Sequence, residues 1–119
     1  MADLVGVNLL RGHGTGHVVE LPSGAAITIA DEQHGDVYVA IDPRAVSLHR
    51  RAPEGSPRNV WSGRITATDL LGDRVRVHVD GQVPLVAEVT PAAVTDVGLH
   101  DGTDVWAAVK ATEVVSYPA

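Results

Sequence analysis

The sequence Ser56-Pro57-Arg58-Asn59 lies between a polar segment rich in Pro and Gly (residues 50–55) and a predicted strand. It places a hydroxyl group, a turn fixed by proline and a guanidinium group side by side at the start of a sheet. A guanidinium group donates several hydrogen bonds in a fixed fork, which suits an anion with several oxygen atoms. We therefore interpret this stretch as one half of an anion site.

The other half of the predicted site is the sequence Thr90-Pro91-Ala92-Ala93 together with Lys110, which is the only lysine in the chain. Thr90 can cap a helix, and Pro91 suits the first helical position because its missing N–H group needs no partner there. The N–H groups of Ala92 and Ala93 then point outward from the start of the helix, where an anion is favoured. Lys110 adds a point charge at the end of a predicted strand.

A plainer interpretation uses the same residues and is the commoner one for such local patterns. Thr90 is then only a helix cap, Arg58 a solvated linker residue, and Lys110 a charge at the end of a strand. The local pattern leaves both interpretations open.

Composition limits the fold class and the function. The 119 residues are 45% hydrophobic with no Phe and no Cys, so small and β-branched side chains must build the core. This favours strands and predicts an all-β protein. A net charge of -6 with nine basic residues argues against nucleic-acid binding. No apolar window is long enough to cross a membrane, and no pattern indicates a metal site or a catalytic constellation, so we expect no cofactor and no membrane insertion.

Turn signals divide the chain into short strands. We expect a Gly-rich turn at residues 12–16 that carries His13 and His17 as solvated loop histidines, and a second polar break at residues 31–35. The predicted strands are residues 17–21, 25–30, 37–41, 60–68, 74–80, 85–89, 105–109 and 114–117, with helical turns after Asp42 and Thr90.

An internal repeat places residues 37–46 on residues 105–114 without a gap. We therefore predict two related β units, residues 1–50 and residues 59–119, joined by a linker and anion-site turn at residues 51–58. Each unit is near the lower size limit for independent folding, so the units should pack on each other, on a second chain, or both.

The second unit resembles the molybdate-binding Mop or TOBE (transport-associated OB) fold. The resemblance is carried by Ser-Pro-Arg-Asn, Val-Thr-Pro-Ala-Ala-Val, Leu-His-Asp-Gly and Val-Lys-Ala-Thr-Glu-Val within residues 56–117. The first unit resembles the segment that follows the ATPase domain in the ATP-binding subunit of molybdate importers. The resemblance implies two small OB-like β-barrel units in tandem, forming a homodimer.

The resemblance also implies a ligand and its site. Molybdate or tungstate is expected between two chains. One chain would contribute Ser56, Pro57, Arg58 and Asn59, and the other Thr90, the backbone of Ala92 and Ala93, and Lys110. Ala93 replaces a frequent serine and Pro57 lacks an N–H group, so two donors of the family pattern are absent. Asp42 matches Lys110 in the repeat, so we expect binding through the second unit only.

The implied function is regulation of a molybdate or tungstate importer from the cytoplasmic face of the cell membrane. The partners would be an upstream ATPase domain and, through it, the permease subunits. The chain has no ATP-binding motifs, so we expect no enzymatic activity of its own. Two alternatives stay open: a purely structural dimerisation module, and a stand-alone molybdate storage protein.

Overall fold

The structure is a computed structural model that describes residues 6–55 and 58–119, with Arg58 described by its backbone only. The strands are β1 (Asn8–Glu20), β2 (Ala26–Ile41), β3 (Ser47–His49), β4 (Arg58–Leu71), β5 (Arg74–Gly81), β6 (Leu85–Val89), β7 (Asp104–Lys110) and β8 (Val114–Pro118). One α-helix, α1 (Pro91–Val97), follows β6, and two 3-10 helices, Pro43–Ala45 and Ala111–Glu113, follow β2 and β7.

The predicted turn at residues 12–16 is wrong, because β1 continues through it as strand. Glycine is needed there because other backbone atoms pass too close for a side chain, and not because the chain turns. A Cβ atom on Gly12 would lie 2.5 Å from the carbonyl oxygen of Glu20, and one on Gly14 would lie 2.7 Å from that of Gln33. The strand therefore coils against its own later residues at Gly12 and against its hairpin partner β2 at Gly14, where only glycine fits. His13 and His17 lie on this strand and not in a loop.

The predicted break at residues 31–35 is also wrong, because β2 passes through it and pairs with β1 on both sides of a bulge. The corresponding part of the second half of the chain (residues 58–119) is interrupted. There β6 ends at Val89, and α1 lies between β6 and β7. Gly98 ends α1 in the left-handed conformation with φ 77°, and its N–H group donates to the carbonyl oxygen of Val94. The helical turn predicted after Thr90 is therefore confirmed.

The strands form two sheets, and each sheet contains strands from both halves of the chain. The three-stranded sheet has the order β1-β2-β8, and the five-stranded sheet has the order β3-β7-β4-β5-β6. β3 belongs to the first half (residues 6–50) but pairs with β7, whereas β8 belongs to the second half but pairs with β2. Each half thus gives its last strand to the sheet of the other half.

The core is built from aliphatic side chains on the inner faces of both sheets. Its largest fully buried members include Ile27, Ile29, Ile41, Ile65 and Leu99, together with six valines. β-branched side chains of this size suit closely packed, strongly curved strands. Trp61 joins this core at 8% exposure, and its indole N–H group donates to the carbonyl oxygen of Ala26 over 3.1 Å. This hydrogen bond ties Trp61 on β4 to the start of β2.

Candidate anion site

Two cationic residues of the predicted site occupy paired backbone positions. β4 and β7 are antiparallel, and Arg58 at the start of β4 is the register partner of Lys110 at the end of β7. The resemblance assigned Arg58 and Lys110 to different chains, whereas one chain already holds them on neighbouring strands. Like charges at opposite positions of an antiparallel pair destabilise the sheet unless something neutralises them. The register therefore places the backbones of two cationic residues opposite each other at this end of the β4–β7 pair.

Asn59 fixes the start of β4 against the first half of the chain. Its side chain is 5% exposed, and its Oδ1 atom accepts a hydrogen bond from the backbone N–H group of Thr28 at 2.7 Å. Its Nδ2 atom donates to the carbonyl oxygen of the same residue at 2.9 Å. These contacts engage both ends of the amide within the fold. The structure thus gives Asn59 a positioning contact immediately after Arg58.

Asn8 makes the corresponding contact from the first half of the chain to the second half. The sequence analysis did not predict this contact. Its Oδ1 atom accepts from the N–H group of Val86 at 2.8 Å, and its Nδ2 atom donates to the carbonyl oxygens of Val86 and Ile41 at 2.9 and 3.2 Å. Asn8 is 9% exposed. The sequence does contain a signal for the equivalence of the two residues, because Asn8 and Asn59 each stand directly before an apolar pair at the start of a strand.

Lys110 borders an open cleft of about 510 Å³. Ser47 and His49, both on β3, also line it, and the Oγ atom of Ser47 lies 2.8 Å from the Nε2 atom of His49. A hydroxyl group, an imidazole ring and an exposed ammonium group therefore share one cleft at the edge of the five-stranded sheet. The Oγ atom of Ser47 also donates to the carbonyl oxygen of Ala108 at 3.3 Å, so its proton is used within the fold, whereas the ammonium group of Lys110 can donate to an oxyanion.

Asp42 and Arg44 also line this cleft. The carboxylate of Asp42 accepts from the backbone N–H group, the Nε atom and the Nη2 atom of Arg44 at 2.9, 3.3 and 3.1 Å. Hydrogen bonding from the Arg44 side chain lowers the pKa of Asp42, so this carboxylate is ionised at neutral pH. Arg44 is thus paired within the chain, and Asp42 keeps a negative charge near the cleft.

The start of α1 lies outside the set of residues that line this cleft. The Oγ1 atom of Thr90 accepts from the N–H group of Ala93 at 3.2 Å, so the capping interaction uses one predicted anion donor. Helix geometry leaves the N–H group of Ala92 without a partner inside the helix. The structure therefore places the backbones of Arg58 and Lys110 in register, and the described residues that line the cleft around Lys110 include none of Thr90, Ala92 and Ala93.

Part of the predicted site is not covered by the structure. Ser56, Pro57 and the side chain of Arg58 lie outside the described residues. In the described part of the chain, no group of three or more His, Asp or Glu side chains is placed to hold a metal ion. Within the same residues, no helix combines the length and hydropathy that crossing a membrane requires.

Comparison with known proteins gives matches to both the sequence and the fold. The model of the TOBE domain matches residues 55–115. The molybdenum import ATP-binding protein ModC of Mycobacterium tuberculosis is 33% identical over 99% of this chain, and the molybdate/tungstate import ATP-binding protein WtpC of Pyrococcus horikoshii is 26% identical over 93% of it. The chain spans 34% of the length of the first relative and 32% of the second, and corresponds to their C-terminal parts.

Among solved structures, the cytoplasmic molybdate-binding protein ModG, in a form with molybdate bound, has a similar fold. The TM-score is 0.76 at 20% sequence identity, and the match covers 94% of this chain and 96% of that protein. The expected all-β, OB-like architecture is therefore confirmed.

Proposed function

The chain belongs to the TOBE domain family, and from this premise we propose that it binds molybdate or tungstate as the regulatory region of an importer's ATP-binding subunit. In the importer relatives, the region similar to this chain is the C-terminal third of the protein. In this proposal the ATPase activity belongs to an upstream domain. The chain acts in the cytoplasm, at the membrane face where the ATPase domain meets the permease subunits.

The pairing of Arg58 with Lys110 carries the proposal. Adjacent cations at the end of a strand pair repel each other, and a tetrahedral dianion between them removes that repulsion and accepts several hydrogen bonds. A guanidinium fork and an ammonium group complement each other in holding such an anion. Ser47 and His49 in the same cleft add polar groups within the reach of a bound oxyanion.

We place the complete site between two copies of the chain. The start of α1 does not line the cleft around Lys110 within one copy. A second copy that supplies the start of α1, with Thr90, Ala92 and Ala93, would complete the site formed by Ser56, Pro57, Arg58 and Lys110 of the first copy. Anion binding then stabilises the dimer, by about 2.7 kcal/mol at a ligand concentration 100 times the Kd. That linkage lets the anion concentration control the contact between two ATPase subunits.

One such site per chain is expected. In the first half, Val7 and Asp42 occupy the positions that correspond to Arg58 and Lys110. Asp42 is ionised and paired with Arg44, so this position repels a dianion. The two predicted units, residues 1–50 and 59–119, therefore differ in charge at the matching place.

Titration calorimetry with molybdate tests this function. We expect one site per chain, with affinity reduced at least about tenfold in Arg58→Ala and in Lys110→Ala, since each change removes a charge-assisted contact. Arg64→Ala is the matched control because Arg64 is 65% exposed and pairs with the exposed Asp104. Sulfate is the control ligand.

The mass of the protein with and without molybdate, measured by sedimentation velocity, tests the dimer. A dimer that molybdate tightens supports the regulatory site. Binding to a monomer with full affinity would contradict the site between two copies. A dimer that does not bind molybdate would identify the chain as a structural dimerisation module.

A stand-alone molybdate-binding protein is the second candidate function. One observation favours it: ModG, described as a cytoplasmic molybdate-binding protein, shares this fold over 96% of its length. The fold therefore occurs without an attached ATPase domain. An open reading frame that joins this sequence to an upstream ATPase would exclude this alternative.

A further inference from the structure

A second cavity lies where the start of β1 crosses the β5–β6 hairpin. Its volume is about 310 Å³, at the lower end of the range of cavities that hold small molecules. Apolar groups of Val7, Pro43, Pro84 and Val86 line it. The cavity lies between the two halves of the chain and shares no lining residue with the cleft around Lys110.

Arg76 is the cationic residue among those that line this cavity. Its Nε atom is buried and has no hydrogen-bond partner within the described residues. The nearest carboxylate oxygen, Oε2 of Glu88, lies 3.8 Å away, which is too long for a hydrogen bond. A buried donor without an acceptor costs about 1–3 kcal/mol, so the cavity favours a ligand that brings an acceptor.

The internal repeat shows that this cavity is a different kind of site from the anion site. Asn8 pairs with Ile41 as Asn59 pairs with Val109, so Val7 takes the place of Arg58. The first half thus lacks both cations of the oxyanion site. The charge beside Asn8 comes instead from Arg76 on β5, and apolar walls surround it.

We propose that this cavity binds a small carboxylate with a compact apolar body. The guanidinium group of Arg76 offers two parallel donors, which match the two oxygens of a carboxylate. The walls formed by Val7, Pro43, Pro84 and Val86 bury the apolar body. Glu88 leaves little net positive charge at Arg76, so the cavity cannot compensate the desolvation of a dianion such as molybdate.

His78 completes the polar part of the cavity. Its Nε2 atom lies 2.9 Å from Oδ2 of Asp69, so the ring is held by the β4–β5 hairpin. Among the described residues, the charged or titratable groups that line the cavity are Arg76 and His78; Glu88 lies beside Arg76, and Asp69 beside His78. Arg76 alone among them is a permanent cation, and its partner Glu88 is an acid, so a single carboxylate is the anion that fits.

Titration of ¹⁵N-labelled protein with benzoate, followed by NMR, tests this site. We expect shifts confined to residues around Val7, Arg76 and Val86, with benzyl alcohol as the uncharged control ligand. Arg76→Gln should weaken benzoate binding at least about tenfold through loss of the charge-assisted pair. Arg74→Gln is the matched control, because Arg74 lies two residues earlier on the same strand and does not line the cavity.

A second variant separates the ligand site from any effect on folding. Val86→Phe should fill the cavity and abolish benzoate binding without changing the charge of the cavity. Thermal melting checks that Val86→Phe and Arg76→Gln remain folded. Equal affinity for benzoate and benzyl alcohol, or unchanged benzoate affinity in Arg76→Gln, would overturn the proposal. The proposal does not depend on molybdate binding, since Lys110→Ala should leave the benzoate shifts intact.

Discussion

The two halves of the chain share a succession of elements but differ in charge and in one insertion. In both, a strand leads into a 3-10 helix and then into a strand that joins the other half's sheet. Asp42 caps the first 3-10 helix, whereas Lys110 occupies that position before the second. The shared part holds the fold together, and the differing positions are those available for binding. Stability and ligand recognition are therefore carried by different residues of one repeat.

The shared asparagines should give the largest effects. Asn59→Ala removes the side-chain partner of both backbone groups of Thr28, and Asn8→Ala does the same to Val86, so each should cost about 3 kcal/mol of unfolding free energy. Urea unfolding followed by Trp61 fluorescence measures this loss. Thr66→Ala, which removes one exposed hydroxyl contact, is the control. Unequal losses of unfolding free energy in the two variants would show that Asn8 and Asn59 do not have equivalent roles in the two halves.

Charge reversal at the differing position should change binding almost as strongly. Lys110→Asp makes the second half resemble the first and should weaken molybdate binding at least about 100-fold, equivalent to about 2.7 kcal/mol. The reciprocal change Asp42→Lys should not create a second site, because Val7 stands where the second half has Arg58. Calorimetric stoichiometry distinguishes these results. A second molybdate bound to Asp42→Lys would show that one cation suffices.

The insertion that contains α1 should contribute a smaller amount. Gly98→Ala forces a side chain into a backbone conformation with φ 77°, and its Cβ atom would lie 3.3 Å from Nη1 of Arg50, so we expect a loss of about 1 kcal/mol. Thr95→Ala, in the same helix and exposed, is the control. Thermal unfolding gives the stability difference. An unchanged melting temperature would mean that the end of α1 is not held by the fold.

The Asp42–Arg44 pair should give the smallest effect and a distinct pH dependence. The pKa of Asp42 is lowered in the folded state, chiefly by hydrogen bonding from the Arg44 side chain. Its stabilisation is therefore present at neutral pH and is lost as the pH falls from about 4 through the folded-state pKa. Because Asp42 is 49% exposed, Asp42→Asn should cost less than about 1 kcal/mol at pH 7.

Urea unfolding at pH 7 and at pH 3 measures this pH dependence. The difference between Asp42→Asn and the parent protein should become smaller at the lower pH. An equal difference at pH 7 and pH 3 would assign the stabilisation to the capping geometry and not to the charge.

Local sequence patterns predicted most strands of the second half, because turn residues and alternating valines mark their ends. They failed in β1, where closely packed glycines resemble a turn, and at residues 31–35, where polar residues lie on a continuous strand. The pairing of β3 with β7 and of β8 with β2 was not predictable, because short apolar runs do not specify their partners.

The candidate site was predictable in its residue types but not in its arrangement. Arg58 and Lys110 were identified as cations for an oxyanion, whereas their direct pairing depends on the register of β4 and β7. Asn8 and Arg76 were overlooked because polar side chains are usually assumed to be exposed. Only the tertiary structure shows that Asn8 and the Nε atom of Arg76 are buried.

The exchange of terminal strands has a consequence for the linker between the halves. A protease cut between Gly55 and Arg58 would break the polypeptide while leaving every β2–β8 and β3–β7 hydrogen bond in place. The two fragments should remain one particle and should reassociate when expressed separately. The same topology allows two intact chains to trade halves and form a swapped dimer with the contacts that one chain makes alone.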